Sequence, residues 1–372
     1  MKKLLLLISI LLIAQPALAQ SETDFEKHVF RAEVVQVLSS GEQAITGTAL
    51  TEDFQKLQVR IIDGERMNEV HEVDNRSGIE LAPDDIFYLH NIQSEDGTDV
   101  WSVGEPDRRW VLIGLTLLFI VSTVLLAGKP GARALVALAG SFLIIIFALV
   151  PALSAGAPPV LTCTALAVAI LAFSMFVTHG WNNRTFIALG GSVLALTFAA
   201  AIAQAAVVLA QMSGFVSDET VSLNFMTQGT LNLPGLLLGG ILIGVVGVLN
   251  DISVSQVHTV GEIHTANPDL DWTHVLQTSM RVGREHLGAV VNTLPLAYAG
   301  AALPLLLIFG ASDAPILFTL NREIFAAEII RTLAGGMGLM LSGAIATVLA
   351  AYVLVKLNLD DKRPHDTIHH KH

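Results

Sequence analysis

The chain has 372 residues, 52% of them hydrophobic, with mean hydropathy +0.61 and a formal net charge of −12. Such a composition is too apolar for a soluble domain and points to a polytopic membrane protein. The acidity is local, with 20 acidic against 8 basic side chains in residues 20–109, which argues against nucleic acid or an anionic lipid surface as partner. The lone cysteine, Cys163, excludes an internal disulfide and a cysteine-based zinc motif.

Residues 1–19 have the form of a signal peptide: Lys2 and Lys3, an apolar run, then Ala17-Leu18-Ala19 as a small-x-small cleavage site. The apolar run is shorter than the roughly 20 residues a span needs, so cleavage after Ala19 is expected. Residues 20–109 read as an exported soluble domain. Alternation around residues 30–37 and 55–62 marks strands. Ser40-Gly41, Asp63-Gly64, Asn75 to Gly78, Pro83-Asp84 and Asp96-Gly97 mark turns between them. Short strands at this spacing predict a β-barrel-like domain of OB or SH3 type, with about five strands.

Seven apolar segments follow, at 110–127, 135–153, 160–177, 186–209, 231–249, 287–309 and 329–357. Each is long enough to cross about 30 Å of hydrocarbon. The predicted class is therefore an α-helical polytopic membrane protein of about seven transmembrane helices, residues 110–357, behind a small exported β-domain. An exported N-terminus and seven crossings place the C-terminus in the cytoplasm. Lys129, Arg133, Arg184, Arg281, Arg284 and Lys356 then fall on the inner side, as the positive-inside rule requires. The tail, 358–372, carries four histidines in its last eight residues and reads as a solvated cytoplasmic tail rather than a metal site.

Candidate chemistry gathers where the fifth apolar segment gives way to polar residues. Asp251, Ser255, His258 and Glu262 fall at i, i+4, i+7 and i+11 on one helical face. Arg281, Glu285, Gly288 and Asn292 repeat that spacing on the next segment, and Arg284 stands beside them. The two acids can face Arg281 and Arg284 as a gate or as plain structural ion pairs. Ionisable groups inside a membrane are costly and mark candidate sites. His258 and Glu262 have the i, i+4 geometry of a metal pair, a weak signal without a second pair. Asn292 and Thr293 precede Pro295, which removes a helical hydrogen bond and kinks the chain, as at transporter sites. Gly240, Gly244 and Gly247, with Gly335, Gly336, Gly338 and Gly343, read first as close helix packing. There is no P-loop, nucleophile elbow, dinucleotide fingerprint or zinc-protease motif, so an enzyme is the weaker expectation.

Three blocks carry a resemblance: Gly247-Val-Leu-Asn-Asp-Ile-Ser-Val-Ser-Gln256, Met280-Arg-Val-Gly-Arg-Glu-His286, and the run from Val291-Asn-Thr-Leu-Pro to Leu307. Thr178-His-Gly180 with Arg184-Thr185 forms a fourth. Together they resemble the YibE/F-like family of bacterial multi-pass membrane proteins over roughly residues 110–357. The resemblance implies a multi-pass protein of the bacterial cytoplasmic membrane, in a family where transport is often suspected. It covers Asp251, Gln256, Glu262, Arg281, Arg284, Asn292, Thr293 and Tyr298. It departs at Asn250, where the family carries Asp, and at Glu285, where it tends to carry Asp; His258 lies outside the pattern. The expected function is a transporter or permease for a small solute or ion. Asn250, Asp251, Ser255, Gln256, Glu262, Asn292 and Thr293 would form its binding path, and Arg281, Arg284 and Glu285 its gate or ion pairs. The alternative is a membrane scaffold or sensor whose β-domain binds an envelope component. The bilayer is the one partner either reading requires, and no cofactor is expected.

Overall fold

A computed structural model describes residues 29–44, 51–93, 99–311 and 313–359 of the chain. The signal-peptide stretch, the Asp96-Gly97 turn and the tail histidines lie outside the described residues. The chain divides into two compact units, Met1–Leu126 and Ala127–His372.

In the first unit, five strands form one antiparallel sheet: β1 (Val29–Ala44), β2 (Thr51–Ile61), β3 (Val70–Asn75), β4 (Ile86–Gln93) and β5 (Asp99–Pro106), in the order β3-β2-β1-β4-β5. Alternation is plain in β2, where Leu57, Val59 and Ile61 are fully buried and the residues between them are not. They meet Phe30, Ala32, Val34, Phe87 and Leu89 in a single core. Positive φ at Gly64 (79°), Gly78 (71°) and Asp84 (72°) places turns where three of the signals stood. Ser40-Gly41, by contrast, is no turn: it continues β1, with Gly41 paired to Phe54.

The sheet is not a closed barrel. Its edge strands approach through side chains instead of a ladder. The His71 ring lies 4.3 Å from Trp101, the Arg66 guanidinium sits 4.9 Å over the same indole, and Arg66 pairs with Asp99 at 2.9 Å. Bulky side chains fill the gap that backbone hydrogen bonds would need.

Helix α1 (Arg109–Ile144) starts directly after β5. A π-helical turn (Ile145–Leu149) and α2 (Val150–Ser154) extend it. Five helical stretches are long and apolar enough to cross a membrane, or six if a bent pair counts as one span. The seven expected spans do not all stand as separate straight helices, and two places differ. The first two expected spans lie within one stretch of 46 residues, Arg109–Ser154. At about 1.5 Å per residue this is over twice the hydrocarbon thickness. Its backbone leaves the helical region at Gly128 (φ 58°, ψ −138°), two residues before Pro130. The expected span 287–309 is in three pieces. It comprises the end of α7 (Trp272–Val290), then α8 (Thr293–Ala301) and α9 (Leu303–Gly310), with a 72° bend at Ala302. Pro295 and Pro304 each lack the N–H that would bridge their break. The sharper turn is at Pro304, which stands near a helix end.

The remaining helices of the second unit are α3 (Pro159–His179), α4 (Asn183–Leu209), α5 (Asp218–Met226), α6 (Leu233–Ala266), α10 (Ile316–Leu320) and α11 (Glu323–Ala350), which runs on as a π-helical turn (Ala351–Lys356). Caps fix several starts. Asn182 accepts from Thr185 N at 2.9 Å, Asn232 accepts from Gly235 N at 3.0 Å, and Ser217 with Thr220 forms a capping box. Helix α6 is apolar on nearly every side up to Leu249, as befits a central helix.

Contacts along α6 set the direction of its neighbours. Moving toward its C-terminus, a Cβ on Gly335, Gly338 or Gly343 of α11 would meet Val245, Leu249 and Ile252 in turn, so α6 and α11 are parallel. Cys163 against Gly239 and His179 beside His258 make α3 parallel as well. Gly191 faces Ala346 while Ala199 faces Gly338, so α4 is antiparallel. Because α6 and α11 are parallel, the connection through α7, α8 and α9 must return through the thickness of the unit.

Candidate functional site

The polar residues of α6 divide by flank. One flank is buried and fully engaged. Ser253 Oγ lies 2.6 Å from Ser342 Oγ, and the Leu249 carbonyl accepts from Ser192 at 3.2 Å and Ser342 at 3.3 Å. Gln256, 1% exposed, accepts from Thr347 Oγ1 at 3.1 Å. A Cβ on Gly283 would lie 2.7 Å from Gln256 Oε1, so α7 approaches α6 at that glycine. These uncharged bonds join α4, α6 and α11 across the unit. Gln256, a binding candidate in the sequence, is a buried helix-to-helix contact here.

The other flank is open. Gly240, Gly244, Gly247, Asp251, His258 and Glu262 are exposed, and Ser255 half-buried, on a single stripe. Asp251 lies inside the apolar thickness. The α3–α6 register, from Cys163 at Gly239 to His179 at His258, sets it abreast of the apolar run of α3, several residues before its polar end. Its carboxylate accepts from Asn250 Nδ2 at 3.2 Å, and no base pairs with it among the described residues. Asn250 Oδ1 is buried and unpartnered. A carboxylate at this depth with one amide donor and an orphaned acceptor beside it is poorly compensated. Tyr298 of α8 lines the stripe further up, its hydroxyl 2.8 Å from where a Cβ of Gly244 would stand. Gly244 thus makes room for that hydroxyl, whereas Gly240 and Gly247 have open space in front of them.

At the polar end, Glu262 is bound by Arg184 at 3.1 Å and is 73% exposed. The expected facing of Asp251 and Glu262 by Arg281 and Arg284 is not formed among the described residues, and no arginine of α7 reaches Glu262. Arg184 takes its place, reaching from the start of α4 across Gly261. In the sequence Arg184 stood in the fourth resembling block and among the inner-side bases, with nothing to pair it with Glu262. The His258 ring lies 6.0 Å from His179. No group of three His, Cys, Asp or Glu converges among the described residues.

Helix α7 is amphipathic. Val275, Ser279 and Gly283 are buried, while Arg281, Arg284, Glu285 and Gly288 are exposed on the reverse face. That orientation keeps both arginines from Asp251 and Glu262 within one chain. Asn292 and Thr293 occupy the α7–α8 break and are exposed. The contacts of Leu287 and Leu294 bracket this break at the height of residues 245–252 of α6, level with Asn250 and Asp251.

No curated protein and no solved structure matches the chain. The family model for YibE/F-like protein matches residues 115–356, which takes in every helix placed around this stripe. A match over more than half of the chain, with apolar helices to cross the bilayer, makes this a membrane protein that belongs to the YibE/F-like family.

Proposed function

We propose that this protein is transporter-like, moving a small solute or ion along the open stripe of α6. The observation that carries the reading is Asp251: an acid at membrane depth, uncovered, unpaired with any base among the described residues, and level with the Asn292–Thr293 helix break. Intramembrane acids and broken helices recur together at coupling sites because both leave oxygen atoms free to exchange partners. Asp251 is the coupling or ligand acid, Asn250 its neighbour, and Asn292 and Thr293 polar contacts at the break. No enzymatic step is assigned.

The reading includes seven crossings, with Gly128 dividing the 46-residue stretch and α7 to α9 together crossing once. The N-terminal sheet is then outside the bacterial cytoplasmic membrane and the C-terminus inside. Arg184, Arg281, Arg284 and Lys356 at one end of the helical unit, against Arg322 and Arg331 toward the other, support that orientation. A second reading, a scaffold or sensor, draws on the sheet unit. An open cleft of about 440 Å³, lined by Glu42, Asp53, Phe54, Gln55, Asn75 and Glu80 among others, offers an acidic surface for an envelope partner.

A thermal-stability screen of the purified full chain against cations, anions and small metabolites separates the two. A ligand at about 100 times its Kd stabilises by roughly 2.7 kcal/mol. The transport reading expects a ligand that shifts wild type and not Asp251→Asn, and a matching loss of flux in proteoliposomes. If Asp251→Asn is folded and leaves ligand response and flux intact, the role of Asp251 is wrong. If deletion of residues 20–109 alone removes the phenotype, the scaffold reading takes over.

A further inference from the structure

The stripe of α6 is not open along its whole length. Gly240 has nothing within 4 Å of where a Cβ would stand, and neither has Gly247. Gly244, between them on the same face, differs: the Tyr298 hydroxyl lies 2.8 Å from its Cβ position. One side chain therefore crosses the stripe at one height, with free space a turn above it and a turn below.

Helix α8 brings Tyr298 there. Leu294, one turn earlier, packs on Gly335 of α11, and the same Gly335 faces Val245 of α6. Glycines at 244 and 335 thus seat α8 in the groove between α6 and α11. The Tyr298 side chain is half-buried in that groove.

Polar groups stand on both sides of the ring. Glu328, Arg331 and Gly335 fall at i, i+3 and i+7 on one face of α11. Glu328 and Arg331 are half-buried and paired at 2.6 Å, and both charges act on the Tyr298 hydroxyl. The register of Gly335 with Val245 sets Arg331 about level with Ile241, next to Gly240. On the other side come Asn250, Asp251 and the Asn292–Thr293 break, then Ser255, His258 and Glu262. Charged groups within the apolar thickness need water or a partner. Two polar stretches of the stripe are therefore separated by a single aromatic ring.

We propose that the Tyr298 ring is the barrier that divides the transport path into an outer vestibule, lined by Glu328 and Arg331, and an inner one that reaches Asp251. The inference rests on the reading of the α6 stripe as the path, and it adds the residue that keeps the path from being open to both sides at once. Helix α8 is suited to carry such a barrier. It is nine residues long, between the Asn292 break and the 72° bend at Ala302, and Pro295 and Pro304 remove backbone bonds that would stiffen either junction. A small turn of α8 would withdraw the ring from Gly244 and leave α6 and α11 in place.

The test needs no ligand. Right-side-out and inside-out membrane vesicles carry the full chain with Cys163→Ala, which removes its one thiol, and are treated with a membrane-impermeant maleimide. Gly240→Cys should react in right-side-out vesicles only, and Gly247→Cys in inside-out vesicles only. With Tyr298→Ala added, Gly247→Cys should react from both sides, and from the outer side as fast as Gly240→Cys does. Tyr298→Phe keeps the ring and should keep Gly247→Cys shielded. Outer-side reaction of Gly247→Cys with Tyr298 intact overturns the proposal, as does continued shielding in a folded Tyr298→Ala or loss of shielding in Tyr298→Phe. Where Tyr298→Ala fails to fold, the sidedness of Gly240→Cys and Gly247→Cys decides the matter, and the same sidedness at both overturns the barrier. An Asp251-dependent ligand shift together with that shared sidedness would remove the barrier and leave the transport path standing. If neither cysteine reacts from either side, lipid covers the stripe, and path and barrier fall together.

Discussion

Asp107 and Asp251 are both aspartates with restricted surroundings, one in the sheet unit and one in the helical unit, and they are treated in opposite ways. Asp107 has a side chain 2% exposed and is gripped on both sides. Arg31 donates to it at 3.0 Å, Arg109 at 2.8 Å, and the backbone N–H of Arg109 at 3.1 Å. It joins β1 to the start of α1, where it also caps a free helix N–H. Asp251 receives one amide hydrogen bond and no base among the described residues. A carboxylate kept for structure is surrounded by donors that make its burial tolerable. Asp251 has no such set of donors among the described residues. The helical unit meets its other buried polar needs with hydroxyls and an amide, which carry no charge to desolvate.

The largest stability effect should come from the held acid. Asp107→Ala should cost about 1.5–3 kcal/mol, as expected for losing hydrogen bonds to charged partners, read from Trp101 fluorescence during denaturation with the other tryptophans replaced. A loss under about 0.5 kcal/mol, the usual size of a surface change, would end the contrast. Its pH dependence has a definite sign. The Arg109 side-chain hydrogen bonds, then its backbone N–H and charge, then Arg31, hold the Asp107 carboxyl well below the usual range. A depressed folded value stabilises the sheet above the unfolded value of about 3.9, and the contribution fades as pH falls through the folded one. The sheet signal should therefore be flat from about pH 5 to 8 and weaken below about pH 4; weakening near neutrality would contradict the assignment.

Next in size is the glycine where α7 meets α6. Gly283→Leu should overpack against Gln256 and cost about 1–3 kcal/mol by thermal melting in detergent, whereas Gly247→Leu, with open space before it, should cost little. Equal losses at the two positions would mean that the flanks of α6 do not differ. Gln256→Leu removes one interhelical bond and should cost about 0.6 kcal/mol, near the mean for such bonds in membrane helices. A larger loss in Gln256→Leu than in Asp107→Ala would reverse the ranking of the two units. The smallest stability effect belongs to Asp251→Asn, within about 0.5 kcal/mol of wild type because no base pairs with its charge among the described residues. Destabilisation by several kcal/mol would show that Asp251 is a structural group after all. Glu262→Gln breaks an exposed pair with Arg184 and should also change stability by under about 1 kcal/mol, less at high salt.

The sequence by itself determined the membrane class, the strands of the sheet and the stripe through Asp251 and Glu262. Hydropathy and periodicity are local properties, written wherever one face of an element must be apolar. It also marked the break at Asn292 and Thr293, because proline acts on its own helix. The tertiary structure decided which polar residues face each other. Gln256 and Glu262 looked alike as candidates, yet one is buried against Thr347 and the other is bound by Arg184, 78 positions away. Arg281 and Arg284 carried the right charge to meet Glu262, but the packing of Gly283 on Gln256 turns them outward. The sheet was legible as strands but not as an open sheet, since closure depends on what fills the gap between β3 and β5. Pairing between elements is set by rotation and height about distant helices, and no stretch of chain encodes either one locally.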